Sequence, residues 1–382
     1  MLSVLKALLG VATLLPIHVV GHGTLTAPSL RAHPYAPDRV CVVPSGTEDA
    51  GPHIIRAAHR CNHGGTVFFP PGDYLIATAV DLTFLDRVDF AIWGSISFTQ
   101  DADHWKSRTF KYKFQDARLF WRFGGTHVNI YGNGRGVIEG DGPYWSAAMK
   151  EDSTVERPIL FGTDGLHHAT ISETPAHNTD GWDTYRSSKI VIQDSVIINT
   201  DDCVSFKPNS TSVIVQNLDC SNSHGISVGS LGQYQGEVDL VEDLYIYNVT
   251  MTNAGNFARI KVWPGVPPDT TDSTSGGGLG MVRNVTYDHL YSNGNDEVIT
   301  LTQCYFAVNQ TVCDRYPASL EIKDVTFKNF EGTTSAKYDP KVGSLVCHDI
   351  TATNINVNPP SGEKGTYECV NVGNSNLYIN CV

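Results

Sequence analysis

Short alternating apolar runs recur along this chain from about Gly125, each ending near an Asn or Asp. They are Val128–Ile130, Ile190–Asp194, Val213–Asn217, Leu244–Asn248, Val285–His289 and Leu320–Asp324. Alternation rich in β-branched residues marks strands. The step from Ile190 to Val213 is 23 residues, and later steps lengthen through insertions such as the Gly/Pro/Ser-rich Pro264–Gly280. A repeat of 20–50 residues marks a solenoid. Each coil leaves apolar edges that only the next coil can cover, so the coils stack. A second, shorter run follows the first: Val204–Phe206, Ile226–Val228, Arg259–Lys261 and Val298–Thr300. Two strands per cycle, with turns and no helices between them, predict an all-β, right-handed parallel β-helix. A β-sandwich would show turn signals every ~8–12 residues.

Composition narrows the partners. The chain has 382 residues, 41% hydrophobic and 18% charged, enough for a large core but unlike the charge-rich heptads of a helical bundle. Forty Asp and Glu against 27 Lys and Arg give a net charge of −13, which argues against nucleic acid. No Lys/Arg run points to a membrane surface.

Met1–Val20 carries one charge, Lys6, before an apolar stretch that ends in the small residues Gly21 and Gly23. That layout predicts a secretory signal peptide over 1–20 and a single domain over 21–382, with an extracellular, monomeric product. In that compartment Asn209, Asn248, Asn284 and Asn309, each opening an Asn-x-Ser/Thr sequon, become glycan acceptors. The nine cysteines become disulfide formers. Pairing neighbours gives Cys41–Cys61, Cys203–Cys220, Cys304–Cys313 and Cys369–Cys381, with Cys347 left over, although spacing alone does not decide connectivity. Their spacings do not suit zinc, and no metal or other cofactor is expected.

Asn178-Thr179-Asp180 recurs as Asn199-Thr200-Asp201, 21 residues later. On stacked coils the two Asp occupy equivalent places on rungs ~4.8 Å apart. Asp202 adds a third carboxylate and Asp183 a fourth. Crowded carboxylates repel, so one holds its proton to higher pH. One protonated and one ionised carboxyl serve glycosidic hydrolysis as acid and base. His224 follows 23 residues after Asp201, and Arg259 and Lys261, two apart, face one side of the next strand. The two cations suit a carboxylate on an anionic sugar. Taken singly, each residue has a plainer reading: an Asp at a turn often only satisfies backbone groups, and an acidic cluster can hold calcium. Convergence of successive rungs favours the catalytic one.

These residues resemble the polygalacturonases of glycoside hydrolase family 28. Asn178-Thr-Asp-Gly-Trp-Asp183, Asp201-Asp-Cys203, Ser223-His-Gly225 and Arg259-Ile-Lys261 match its motifs in order. Cys203–Pro208, Ser223–Tyr234 and Arg259–Pro264 are similar to the fungal exo-acting branch. The resemblance implies inverting, metal-free hydrolysis of α-1,4-linked galacturonate in pectic polysaccharide. Asp201 would be the general acid, Asp180 and Asp202 would activate water, and His224 would support the acid. Arg259 and Lys261 would bind the substrate carboxylate. The chain departs from the family in three places. About one coil is absent near 172–178. Glu297 falls where a substrate-contacting Tyr is expected. The segment after Cys347 is short. Endo-acting or rhamnogalacturonan-type hydrolysis, an inactive pectin-binding protein and a calcium-dependent pectate lyase are the competing readings.

Overall fold

Parallel pairing between strands one coil apart organises the chain. The computed structural model describes residues 39–382, apart from 113–116, 173–175, 179, 308–309, 336–340, 364–366, 380 and 382. The expected leader over 1–20 and the sequon at Asn309 lie outside the described residues. Ser188–Asn199 pairs with Ser210–Ser221, which pairs with Val238–Thr252, and the ladder continues through Leu279–Asn295, Ser319–Thr334 and Lys341–Asn358. Register stacks like on like: Ile190, Val213, Leu244, Val285, Val325 and Ile350 form one buried column. Such columns build the continuous core that the repeat requires. The run Leu320–Asp324 belongs to this ladder but is displaced within it. Leu320 aligns with Gly280, and the counterpart of Val285 is Val325.

The cycle has three faces rather than two. Each long strand bends at a left-handed residue, Asp194, Asn217, Asn248, Asn329 or Asn354 among them, with φ between 52° and 60°. Asn and Asp tolerate that region best after glycine. Their side chains also form a ladder: the Asn217 amide donates to Asp194 and the Asn248 amide to Asn217, each at 2.8 Å. One apolar run thereby serves two faces. The shorter runs form the third face through Trp182–Tyr185, Val204–Phe206, Ile226–Leu231, Asn256–Val262 and Glu297–Thr302.

Coiling starts well before Gly125. Val40–Val42, Gly65–Phe69 and Val80–Ile92 already pair in parallel. The helix Gly51–Cys61 packs on these first strands and buries Ile54, Ala57 and Ala58. Disulfides join Cys41–Cys61, Cys203–Cys220, Cys304–Cys313 and Cys369–Cys381, and Cys347 is a buried thiol. Near the expected missing coil the rungs still stack. Ile159–Ser172 pairs with Ser188–Asn199 through Ala169↔Ile190 and Ile171↔Ile192, and Asn178 aligns with Asn199. Among the described residues no helix is long and apolar enough to cross a membrane.

Candidate active site

The third face supplies the floor of the site. Its register aligns Asp183, Ser205, Ser227, Arg259 and Thr300, one per rung. The alternate positions, Phe206, Val228, Ile260 and Leu301, point into the core. Asp180, Asp201, Asp202 and His224 sit in the turns that enter these strands. Backbone bonds lock the turns together: His224 N–H donates to the Asp201 carbonyl at 2.7 Å, and Gly181 N–H to the Asp202 carbonyl at 2.9 Å. Gly181 is required there, because a Cβ would lie 2.3 Å from the Cys203 carbonyl oxygen.

The structure brings Asp180, Asp201, Asp202, His224, Arg259 and Lys261 together on neighbouring rungs. Asp202 is buried; its carboxylate accepts from the Lys261 ammonium at 2.7 Å and the Ser227 hydroxyl at 2.6 Å. His224 Nδ1 lies 3.2 Å from Asp201 Oδ1, and Arg157 approaches Asp201 Oδ2 at 3.9 Å. A cleft of about 430 Å³ opens beside Asp201 and His224 and is lined by Asn256, Arg259, Lys261 and Tyr305.

Sequence reasoning missed three of these groups. Lys207 is buried with its ammonium 3.7 Å from Asp180 and 3.8 Å from Asp183. A lysine ending the apolar strand Val204–Phe206 was the available signal. Arg157 comes from the loop before Ile159 and left no pattern to read. Tyr305 faces the Arg259 and Lys261 head groups, 5.6 Å from each. The aromatic of the cleft is therefore supplied by Tyr305, not by the strand at Glu297. Glu297 aligns with Asn256 and bonds the Thr300 hydroxyl.

Electrostatics separates the carboxyls. Burial pushes Asp180 well above the usual carboxylate range, and the charges of Asp183 and Asp201 add to it. Burial raises Asp183 to about 6 against the pull of Lys207. Burial also pushes Asp201 upward, but the hydrogen bond and charge of His224, with Lys261 and Lys207, outweigh it and hold Asp201 at about 2. In the open cleft Asp201 therefore ionises more readily than Asp180.

A stability prediction follows from Asp183. Its carboxyl titrates near 3.8 in the unfolded chain and near 6 in the folded one. The folded state thus binds this proton more tightly, and stability falls as pH rises from about 4 to about 6. Asp183→Asn cannot ionise. Its thermal midpoint should gain on the parent across that window and hold a constant lead above it. A lead that is the same at pH 4 and pH 7 would contradict the effect of burial.

Of the sequon asparagines, Asn209 and Asn284 are exposed and Asn248 is half-buried in the side-chain ladder.

Comparison with known proteins agrees with this geometry. The pattern of "Glycosyl hydrolases family 28" matches residues 166–378. Exopolygalacturonase A of Aspergillus niger is 57% identical over 416 positions, covering 95% of this chain and 96% of its own. The exopolygalacturonase of Cochliobolus carbonum is 42% identical over 432 positions, covering 99% and 96%. Among solved structures, endo-xylogalacturonan hydrolase from Aspergillus tubingensis superposes with a TM-score of 0.70 at 27% identity, covering 87% of this chain and 96% of that one. Since 416 aligned positions take in only 95% of 382 residues, on the order of fifty have no counterpart here, one or two coils' worth.

Proposed function

The chain belongs to glycosyl hydrolase family 28, and from that premise we propose that it is a secreted, monomeric exopolygalacturonase. It removes galacturonate from the non-reducing ends of α-1,4-linked polygalacturonate in pectin by an inverting acid–base reaction. The observation that carries this reading is the cleft itself, in which Arg259, Lys261 and Tyr305 stand beside Asp201 and His224. Arg259 makes no described ion pair within the protein, so its guanidinium is available to a substrate carboxylate. Asp201 protonates the leaving oxygen, and Asp180 with Asp202 activates the water. Inversion leaves room for that water, with carboxyls ~6.5–9.5 Å apart. His224 supports the protonation state of the acid.

Incubation with polygalacturonate should release monomer while viscosity falls slowly. Rapid thinning with mixed oligomers would move the assignment to endo-acting or rhamnogalacturonan-type hydrolysis. Arg259→Gln removes a charge-assisted contact of about 1.5–3 kcal/mol. It should lower kcat/KM by about 10–100-fold, chiefly through KM, with Arg259→Lys in between. An unchanged KM would remove Arg259 from the substrate site. The departure from the family expected near 172–178, about one coil, motivates a second reading, a pectin-binding protein without turnover. Reducing-end release that is lost in Asp201→Asn would eliminate it.

A further inference from the structure

The long strands turn at a second left-handed corner. Register aligns Asp86, Thr126, His167 and Ser188 on successive rungs, and two residues further on Val88, Val128, Ala169 and Ile190. The residue between carries φ between 51° and 59°. On the N-terminal rungs it is Arg87, His127, His168 or Lys189; on later rungs it is Ser212, Asp243, Asn284, Asp324 or Asp349. Short polar side chains suit the left-handed region, and the later rungs follow that rule. There the Asn284 amide donates to Asp243 at 2.6 Å. Arginine and lysine have no such local partner to offer, so Arg87 and Lys189 sit where the fold favours Asn or Asp. Backbone strain held in one place points from the outlier to a use.

The corner gathers basic side chains in the open. His127, His167, His168 and Lys189 are exposed. The His127 and His168 rings stack at 4.9 Å with 5° between their planes. His167 Nδ1 lies 2.8 Å from the Ser188 hydroxyl on the next rung. Desolvation and the charges of Lys189, His127 and His167 hold His168 below the usual histidine range. Lys189 makes no described ion pair. The cations that flank the group are already matched. Asp86 takes Arg87 at 2.8 Å and His63 at 2.9 Å, and Asp164 takes Arg186 at 2.5 Å. Between them the row Thr126-His127, His167-His168 and Ser188-Lys189 contains no acid, on a chain whose net charge is −13.

We propose that His127, His168 and Lys189, with His167 beside them, form a second carbohydrate site, a surface track that holds the polygalacturonate chain apart from the cleft. The proposal rests on the reading that this chain acts on polygalacturonate. A linear uronate carries a carboxylate on every residue, so it can meet cations repeated at about 5 Å per rung at several points. An isolated anion meets only one. The bound chain also relieves the repulsion among the stacked rings and the ammonium, so the track strengthens as pH falls through the histidine range. The corner follows the C-terminal end of the floor strand Trp182–Tyr185, whereas the Asp180 turn precedes its N-terminal end. The track is therefore separate from the chemistry at Asp201.

The test is retention on immobilised polygalacturonate, measured in the Asp201→Asn background so that the polymer is not consumed. Combined His127→Asn, His168→Ser and Lys189→Asn substitutions install residue types that later rungs use at this position, so the thermal midpoint should not fall. Retention should weaken several-fold at about pH 5 and low salt, and the difference should shrink at about pH 7.5 and in high salt. With Asp201 intact, the same substitutions should raise KM for long polygalacturonate and leave kcat and the turnover of digalacturonate unchanged. On fully methyl-esterified polymer, which lacks the carboxylates, the two forms should be retained alike. Equal retention on polygalacturonate overturns the track, and so does an equal loss on the methyl ester. A loss confined to a sulfated polysaccharide overturns it as well. A parent that releases no monomer overturns the exopolygalacturonase reading alone, because retention still decides the track.

Discussion

Asp201→Asn should lower turnover of polygalacturonate by about 10²–10⁴-fold, the usual worth of a positioned general acid. Folding should survive. Asp201 is partly exposed, and an Asn oxygen can still accept from the Asp202 N–H as the carboxylate does at 2.9 Å. The loss should be selective. An aryl galacturonide whose leaving group needs little protonation should recover most of the rate in the variant, because only the acid step has been removed. Equal loss on both substrates would take the acid role from Asp201. The same comparison on Asp180→Asn would then ask whether the carboxyl that burial raises most is the donor.

That alternative has to be met, because Asp201 is ionised when the cleft is empty. Its low value depends on His224, Lys261 and Lys207. A uronate carboxylate bound at Arg259 and Lys261 would offset part of that positive field, and the sugar would displace water from around Asp201. Both changes disfavour the carboxylate and raise its pKa. Asp180, whose elevation comes first from burial and then from its anionic neighbours, can release its proton as the cluster redistributes charge. Binding of the anionic substrate would thus favour a proton on Asp201, the proposed acid.

Much of this was readable from the residues, for identifiable reasons. The Ile190, Val213 and Leu244 runs carry the alternation that becomes the buried columns, so stacking could be read without coordinates. The split of each long run into two faces could not, because the turn at Asp194, Asn217 and Asn248 depends on one left-handed residue inside an apparently continuous strand. The early coils were hidden because the helix Gly51–Cys61 interrupts the repeat. Asp180, Asp201, Asp202, His224, Arg259 and Lys261 share a face because their motifs recur near the coil period. Arg157 and Tyr305 lie outside that period, in loops, and only the fold brings them to the cleft. The net charge of −13 argues against nucleic acid but says nothing about the anionic sugar. What matters there is the local cations on one rung.

Lys207 shows how far the site depends on a residue with no motif of its own. Lys207→Met should cost about 3–5 kcal/mol of stability at neutral pH, the range for stranding buried charge by removing its partner. The ammonium is 3% exposed and faces Asp180 and Asp183, and it lowers the pKa of both. Without it the folded-state pKa values of both carboxyls rise further. The folded variant then holds its protons to higher pH than the parent, so its deficit grows as pH rises above about 6 and is smallest below that value. Lys207→Arg keeps the charge and should restore most of the loss. Thermal midpoints of parent, Met and Arg forms at pH 4.5 and 7.5 provide the measurement. A deficit of the same size at both pH values would mean that Lys207 acts by filling space. A deficit that closes on acidification would mean that the lysine is the counterion that makes a cluster of buried carboxylates tolerable beneath a sugar-cleaving cleft.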